Sequence, residues 1–193
     1  STLTEGTRAY YQVSATDKAT NEGTKSNQES VVLDQTKPTT SLAKSPAVSD
    51  GNNGWYKSPF GVILTCLDSG SGETSGCQAG GTTYNLNGGP SATYTGTFLI
   101  EQDGAYVINY FSKDNAGNIE NQKVQNEKLD LTLPTTAVNV ADQDNDGALD
   151  SAVVTLTASD NLSGVASISY ELNSNPVIVV NDSTATLNLS AGT

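Results

Sequence analysis

The chain has 193 residues, with 9 Lys and Arg against 21 Asp and Glu, no His, no Met, 2 Cys and a formal net charge of −12. That balance excludes a nucleic-acid binder working through a basic patch, because displacing counterions needs an excess of Lys and Arg. Without His or a free Cys most routes to nucleophilic and general-base catalysis are missing, so no enzymatic role is expected. No apolar run of about 18 residues is present, so no membrane-inserting helix is expected, and no signal peptide is read at the start.

The expected elements, in chain order, are strands. Ala9, Tyr11 and Val13 alternate ahead of a turn at Asp17–Asn21. Val62-Ile63-Leu64-Thr65-Cys66 alternates ahead of a Ser/Gly-rich loop, and Ala105–Phe111 alternates ahead of a turn at Asp114–Asn118. Val154, Leu156 and Ala158 form a further alternating set. β-Branched and aromatic residues fill these runs and turn formers separate them. No apolar stripe of helical period is sustained. Short strands at regular spacing indicate an all-β sandwich.

An internal repeat organises the chain. Asp17-Lys18-Ala19-Thr20-Asn21 recurs as Asp114-Asn115-Ala116-Gly117-Asn118, 97 residues on. Leu33–Thr40 recurs as Leu129–Thr136, 96 residues on, and Leu64–Asp68 as Leu156–Asp160, 92 residues on. Tyr84-Asn85-Leu86-Asn87 recurs as Tyr170-Glu171-Leu172-Asn173. Matches in one order at nearly one offset define a repeat. Residues 39–134 then make one complete domain. Residues 135–193 carry early strands A to E of a second, and 1–38 carry late strands F and G plus the linker of a third. The two partial pieces together span one period. Three readings stay open: one unit of a tandem array cut inside a domain, a subunit whose strands complete its neighbour's sandwich, or a ragged fragment with disordered ends.

Gly54-Trp55-Tyr56-Lys57-Ser58-Pro59, Leu64–Asp68 with Ser71-Gly72, Tyr84–Gly89 and Asp114–Asn118 carry a resemblance to the bacterial immunoglobulin-like repeats of large surface adhesins, stalks and S-layer proteins. It covers 39–134 fully and the remainder more weakly. The resemblance implies tandem Ig-like, seven-stranded Greek-key sandwiches. It also implies a non-catalytic extracellular role as the shaft of a surface filament, stalk or giant adhesin, stabilised by structural Ca2+. The expected partners are adjoining copies of the same unit, head to tail. Alternatives are a loop-mediated glycan- or protein-binding module, or an accessory domain of a secreted enzyme. Trp55 is expected as a core or edge plug rather than a sugar platform.

Cys66 and Cys77 flank a loop rich in Ser and Gly. A disulfide there would staple the enlarged loop 68–76, worth about 2–3 kcal/mol on the loop-entropy account. It points to an oxidising, extracellular setting.

Acidic groups carry the remaining chemistry. In Asp142-Gln143-Asp144-Asn145-Asp146-Gly147-Ala148-Leu149-Asp150, acids at positions 1, 3 and 5 converge where Gly147 permits a sharp turn. The Ala148 carbonyl and Asp150 complete the expected calcium ligands. Val153 stands where a helical calcium loop has its bidentate Glu, and the rival reading is a merely solvated acidic loop. Asp50–Gly54, the equivalent stretch, keeps one acid, and no strong site is expected there. A second expected metal set joins Asp34, Asp68, Asp114 and Asn118 at a domain junction, with Asp17, Asn21, Asp130 and Asp160 as its equivalent at the alternate junction. Each Asp capping a turn within its own loop is the preferred alternative. Sequons stand at Asn161, Asn181 and Asn188.

Overall fold

The computed structural model describes residues 2–142, 151–173 and 175–190. Strands β1 (Arg8–Tyr11) and β2 (Glu29–Val32) come first, then β3 (Thr39–Ser45), β4 (Trp55–Tyr56) and β5 (Phe60–Leu67). They are followed by β6 (Thr83–Leu86), β7 (Ala92–Thr93), β8 (Phe98–Ile100), β9 (Gly104–Phe111) and β10 (Lys123–Leu129). The last group is β11 (Thr135–Asp142), β12 (Ser151–Ser159), β13 (Ile168–Tyr170), β14 (Ile178–Val180) and β15 (Thr184–Ser190). Among the described residues the only helical element is a single 3-10 turn at Asn52–Gly54, so the chain is all-β.

Two sheets build the segment from Thr39 to Leu129. One has the order β3-β5-β8, the other β4-β10-β9-β6-β7. Alternation turns Phe60, Val62 and Leu64 of β5 inward, against Ile108 and Tyr110 of β9 and Leu129 of β10. Tyr56 and Ile100 complete this buried cluster, which both sheets supply, so the sheets face one another across it. The Tyr56 and Phe60 rings stack at 4.0 Å, as do those of Tyr84 and Phe98. Each fully buried side chain of this size contributes about 1.5–3 kcal/mol. Trp55 sits half-buried in the edge strand β4, with Lys128 Nζ 4.9 Å above its ring, which suits an edge plug.

The repeat read from the sequence recurs as strand register. Leu42 pairs with Leu64 and Thr40 with Cys66, as Val138 pairs with Leu156 and Thr136 with Ala158. Tyr84 pairs with Ala92 as Tyr170 pairs with Ile178. Tyr106 pairs with Glu127 and Ile108 with Gln125, as Ala9 pairs with Val31 and Tyr11 with Glu29. Asn87 and Asn173 turn the same corner at φ 53° and 54°. The sheet β11-β12-β15 and the hairpin β13-β14 thus match β3-β5-β8 and β6-β7, while β1-β2 matches β9-β10. Among the described residues, 135–190 hold no counterpart of β9 and β10.

That division leaves apolar positions uncovered. Ile108 and Tyr110 are 0% and 8% exposed, whereas Tyr11 and Val13, at the same repeat positions, are 54% and 65% exposed. Val138, the counterpart of half-buried Leu42, is 66% exposed.

Candidate functional site at the joint

The segment Leu33–Pro38 links β2 to β3, and its Asp34 and Pro38 are buried. Asp34 Oδ1 accepts the Thr36 N–H at 3.0 Å, an Asx turn that keeps the linker extended into the X-Pro step. Its Oδ2 accepts the Ser75 N–H at 2.7 Å, from the loop after β5. Glu5 grips the same linker from the other side, taking the Gln35 N–H at 2.9 Å and the Thr36 hydroxyl at 2.8 Å.

The second linker repeats each bond. Asp130 takes Thr132 N–H at 3.1 Å and Ser163 N–H at 2.9 Å. Asp103, standing where Glu5 stands, accepts the Leu131 N–H and the Thr132 hydroxyl. Backbone donors with no strand partner are thereby satisfied by carboxylates at both joints.

Two further acids converge on Asp34. Asp68 follows β5, and its Oδ2 accepts the Gly76 N–H at 2.7 Å. Asp114 is fully buried in the β9–β10 turn, where Oδ1 accepts the N–H groups of Gly117 and Asn118, each at 2.7 Å. Gly117 has φ +98°, a conformation that favours glycine. The Asn118 side-chain amide donates to Asp114 at 2.8 Å and to the Asp34 and Thr36 carbonyls at 3.0 and 3.2 Å. Carboxylate oxygens of Asp34, Asp68 and Asp114 lie within 4.8 Å of one another. The sequence-expected junction set is therefore brought together, and turn capping coexists with convergence.

Its electrostatics are uneven. Hydrogen bonds from Ser75 hold the Asp34 carboxyl below its ordinary value. Burial pushes Asp68 up, and the charges of Asp34 and Asp114 push it further. Asp68 Oδ1 is buried and makes no hydrogen bond. Among the described residues no Lys or Arg forms a salt bridge with any of the three. Hard oxygen donors at this spacing suit a divalent cation such as Ca2+, and the orphaned Asp68 oxygen is the atom such an ion would satisfy.

Among the described residues Asp17, Asp130 and Asp160 of the alternate set do not form a converging group of three. Asp160 Oδ1 accepts Leu162 and Gly164 N–H groups at 3.1 and 2.7 Å, and its Oδ2 is buried without a hydrogen bond, like Asp68 Oδ1. Asp17 and Asn21 are exposed and hold their own turn: Asp17 accepts the Ala19 and Asn21 N–H groups and the Asn21 amide. Among the described residues the acidic group that converges is Asp34, Asp68 and Asp114. Of the proposed calcium loop, Asp142 ends β11, while Asp144, Asp146, Ala148 and Asp150 lie outside the described residues. Asp50 caps the Lys57 N–H and the Ser58 hydroxyl at 2.7 and 2.6 Å.

Cys66 and Cys77 form the expected disulfide, with Cα atoms 6.3 Å apart. It ties the end of β5 to the residues that supply Ser75 and Gly76 N–H.

Sequence reasoning missed a buried polar network. Glu120 accepts the Thr40 hydroxyl, the Thr40 N–H at 3.1 Å and the Ser112 N–H at 2.9 Å, and pairs with Lys123 at 3.3 Å. Gly23 and Ala15 occupy the matching positions of Glu120 and Ser112 in the β1–β2 segment, so the repeat itself hid this network.

No protein-family profile and no curated protein sequence matches the chain.

Proposed function

We propose that the chain is a non-catalytic structural spacer, a length of extracellular rod whose units join head to tail with adjoining copies. The observation that carries this reading is the joint made twice. Asp34 with Glu5, and Asp130 with Asp103, pin equivalent linkers by equivalent bonds. A flexible connection between independent binding modules needs no such pins, whereas a shaft of fixed pitch does. Convergence of Asp34, Asp68 and Asp114 supports calcium as the ion that stiffens the joint. The order β3-β5-β8 against β4-β10-β9-β6-β7 supports an Ig-like two-sheet reading, with eight strands, counting the two-residue β4 and β7, where seven are expected. The disulfide supports an oxidising, extracellular setting.

The test is small-angle X-ray scattering of one copy and of two copies joined in one polypeptide. Strands of up to about ten residues plus a linker give about 40 Å per sandwich, hence roughly 80–90 Å of added length for each copy. A maximum dimension that grows by that step supports the spacer. A compact particle whose length barely changes contradicts it.

A further inference from the structure

We infer that the β1–β2 hairpin of one copy completes the sheet of β13 and β14 in a second copy, with β1 adding antiparallel to β13 in a fixed register. The inference rests on the spacer reading and names the partner surface at its ends.

The complete segment supplies the template. There β9 pairs with β10 on one side and with β6 on the other, joining Leu86 to Ile108, Asn85 to Asn109, Tyr84 to Tyr110 and Thr83 to Phe111. The counterparts of these pairs are Leu172 with Tyr11, Glu171 with Gln12, Tyr170 with Val13 and Ser169 with Ser14. Among the described residues neither half has its neighbour: β1 pairs with β2 alone, and β13 with β14 alone. Strand length shows the same gap. β9 runs on to Phe111 with β6 beside it from Ile108 onward and β10 as far as Tyr110, while β1 stops at Tyr11, the position equivalent to Ile108.

Side chains agree with this assignment. Tyr11 and Val13 would enter the space filled by Ile108 and Tyr110, over Leu156, the counterpart of Leu64. Burying two such exposed side chains contributes in proportion to the apolar area removed from water. Asn109 donates its amide to Asn85 at 3.0 Å, and the Gln12 amide would donate to Glu171 in the same place.

The turns agree as well. Asn115 N–H donates to the Gly76 carbonyl at 2.9 Å and Ala116 N–H to the Ser75 hydroxyl at 3.1 Å, while the Asn118 amide reaches Asp34 and Thr36. Lys18 and Asn21 are the matching donors, and Gly164, Asp130 and Thr132 the matching acceptors; the Ala19 N–H departs from the template in donating to Asp17. Gly76 and Gly164 share the same backbone, φ +78° and +80°. Back-folding is disfavoured because the linker after β2 leads directly into β3, and the complete two-sheet segment stands between the donor hairpin and its receptor.

Cysteine pairing tests the register. Directly opposed antiparallel residues place their Cα atoms about 4.5–5.5 Å apart, within disulfide reach. Chains carrying Gln12→Cys and Glu171→Cys are mixed under mild oxidation and separated without reductant. A heterodimer linked Cys to Cys is expected, and at least tenfold less product when Tyr170→Cys replaces Glu171→Cys, since a one-residue slip turns the side chain to the other face. The double variant at high dilution decides between routes: an intramolecular link overturns completion by a second copy. Absence of any link, or preference for the off-register partner, overturns the hairpin assignment.

A second measurement needs no substitution. Amide exchange of Ser169–Leu172 in the unmodified chain slows with rising chain concentration if the pairing holds, and stays constant if it does not. Either failure leaves the stepwise growth in scattering length intact, so it is distinguishable from failure of the spacer itself.

Discussion

Asp34 and Asp130 stand at the same position of two linkers and each accepts a backbone N–H from the loop that follows, Ser75 at 2.7 Å and Ser163 at 2.9 Å. Each also caps its own linker two residues on, at Thr36 and Thr132. A single carboxylate thus fixes both the local turn and the orientation of the next sheet. Removing one leaves a buried donor unpaired, at a cost of about 1–3 kcal/mol.

Calcium should raise the melting temperature, because an ion that binds only the folded state stabilises it by mass action. For a single cooperative sandwich of roughly 100 residues, about 1 kcal/mol shifts the midpoint by roughly 4–8 °C. Asp68→Asn should remove the share of this increment that comes from the joint. Asp144→Ala with Asp146→Ala should remove any share that comes from the 142–150 loop. Calorimetry with calcium and with chelator checks both, and an unchanged melting curve on chelation contradicts the calcium sites.

Acid should act in two stages. Asp34 and Asp130 lie below the ordinary carboxylate value of 3.8, held there by Ser75 and Ser163. Their contribution is present above that value and is lost as pH falls through the lowered ones. Asp68 has the opposite sign: its value is raised, so its charge opposes folding at neutral pH and protonation relieves the penalty. In chelator, stability should hold or rise as pH falls toward about 4, then drop below it. Urea midpoints against pH check this, and Asp68→Asn should flatten the first stage alone.

Replacing Cys66 and Cys77 by Ala should cost about 2–3 kcal/mol from loop entropy. The loss should also spread to the joint, since the loop they fasten carries Ser75 and Gly76. Denaturant unfolding gives the first effect, and faster amide exchange at Ser75 and Gly76 gives the second.

Glu120→Ala should be among the most damaging single changes. It strands the Thr40 and Ser112 N–H donors in a buried place and takes the carboxylate from Lys123, which keeps the Thr40 carbonyl at 2.6 Å, for about 3 kcal/mol. Chemical denaturation measures it. A loss under 1 kcal/mol would mean that water replaces the carboxylate.

Strand alternation and the repeat were legible in the sequence because both are local. Val62 and Leu64 face inward as the two-residue period requires, and the offsets separating Leu64 from Leu156 and Tyr84 from Tyr170 reappear as shared registers. Asp34, Asp68 and Asp114 were legible as a set because sandwich loops at one pole meet. The Glu120 network was not, since it joins Thr40 to Glu120 across 80 positions and leaves no periodic trace. The second linker clamp escaped too: Glu5 and Asp103 differ in type, and only their common grip on the linker relates them.

If the joint is a fixed connection, the distance across it has one value, which pulsed electron spin resonance reads. Labels go on Val124→Cys and Asn139→Cys, exposed positions of β10 and β11 on either side of the Asp130 linker. One narrow distance distribution is expected, broadening markedly with Asp130→Ala. A broad distribution in the unmodified joint, unchanged by Asp130→Ala, would contradict it.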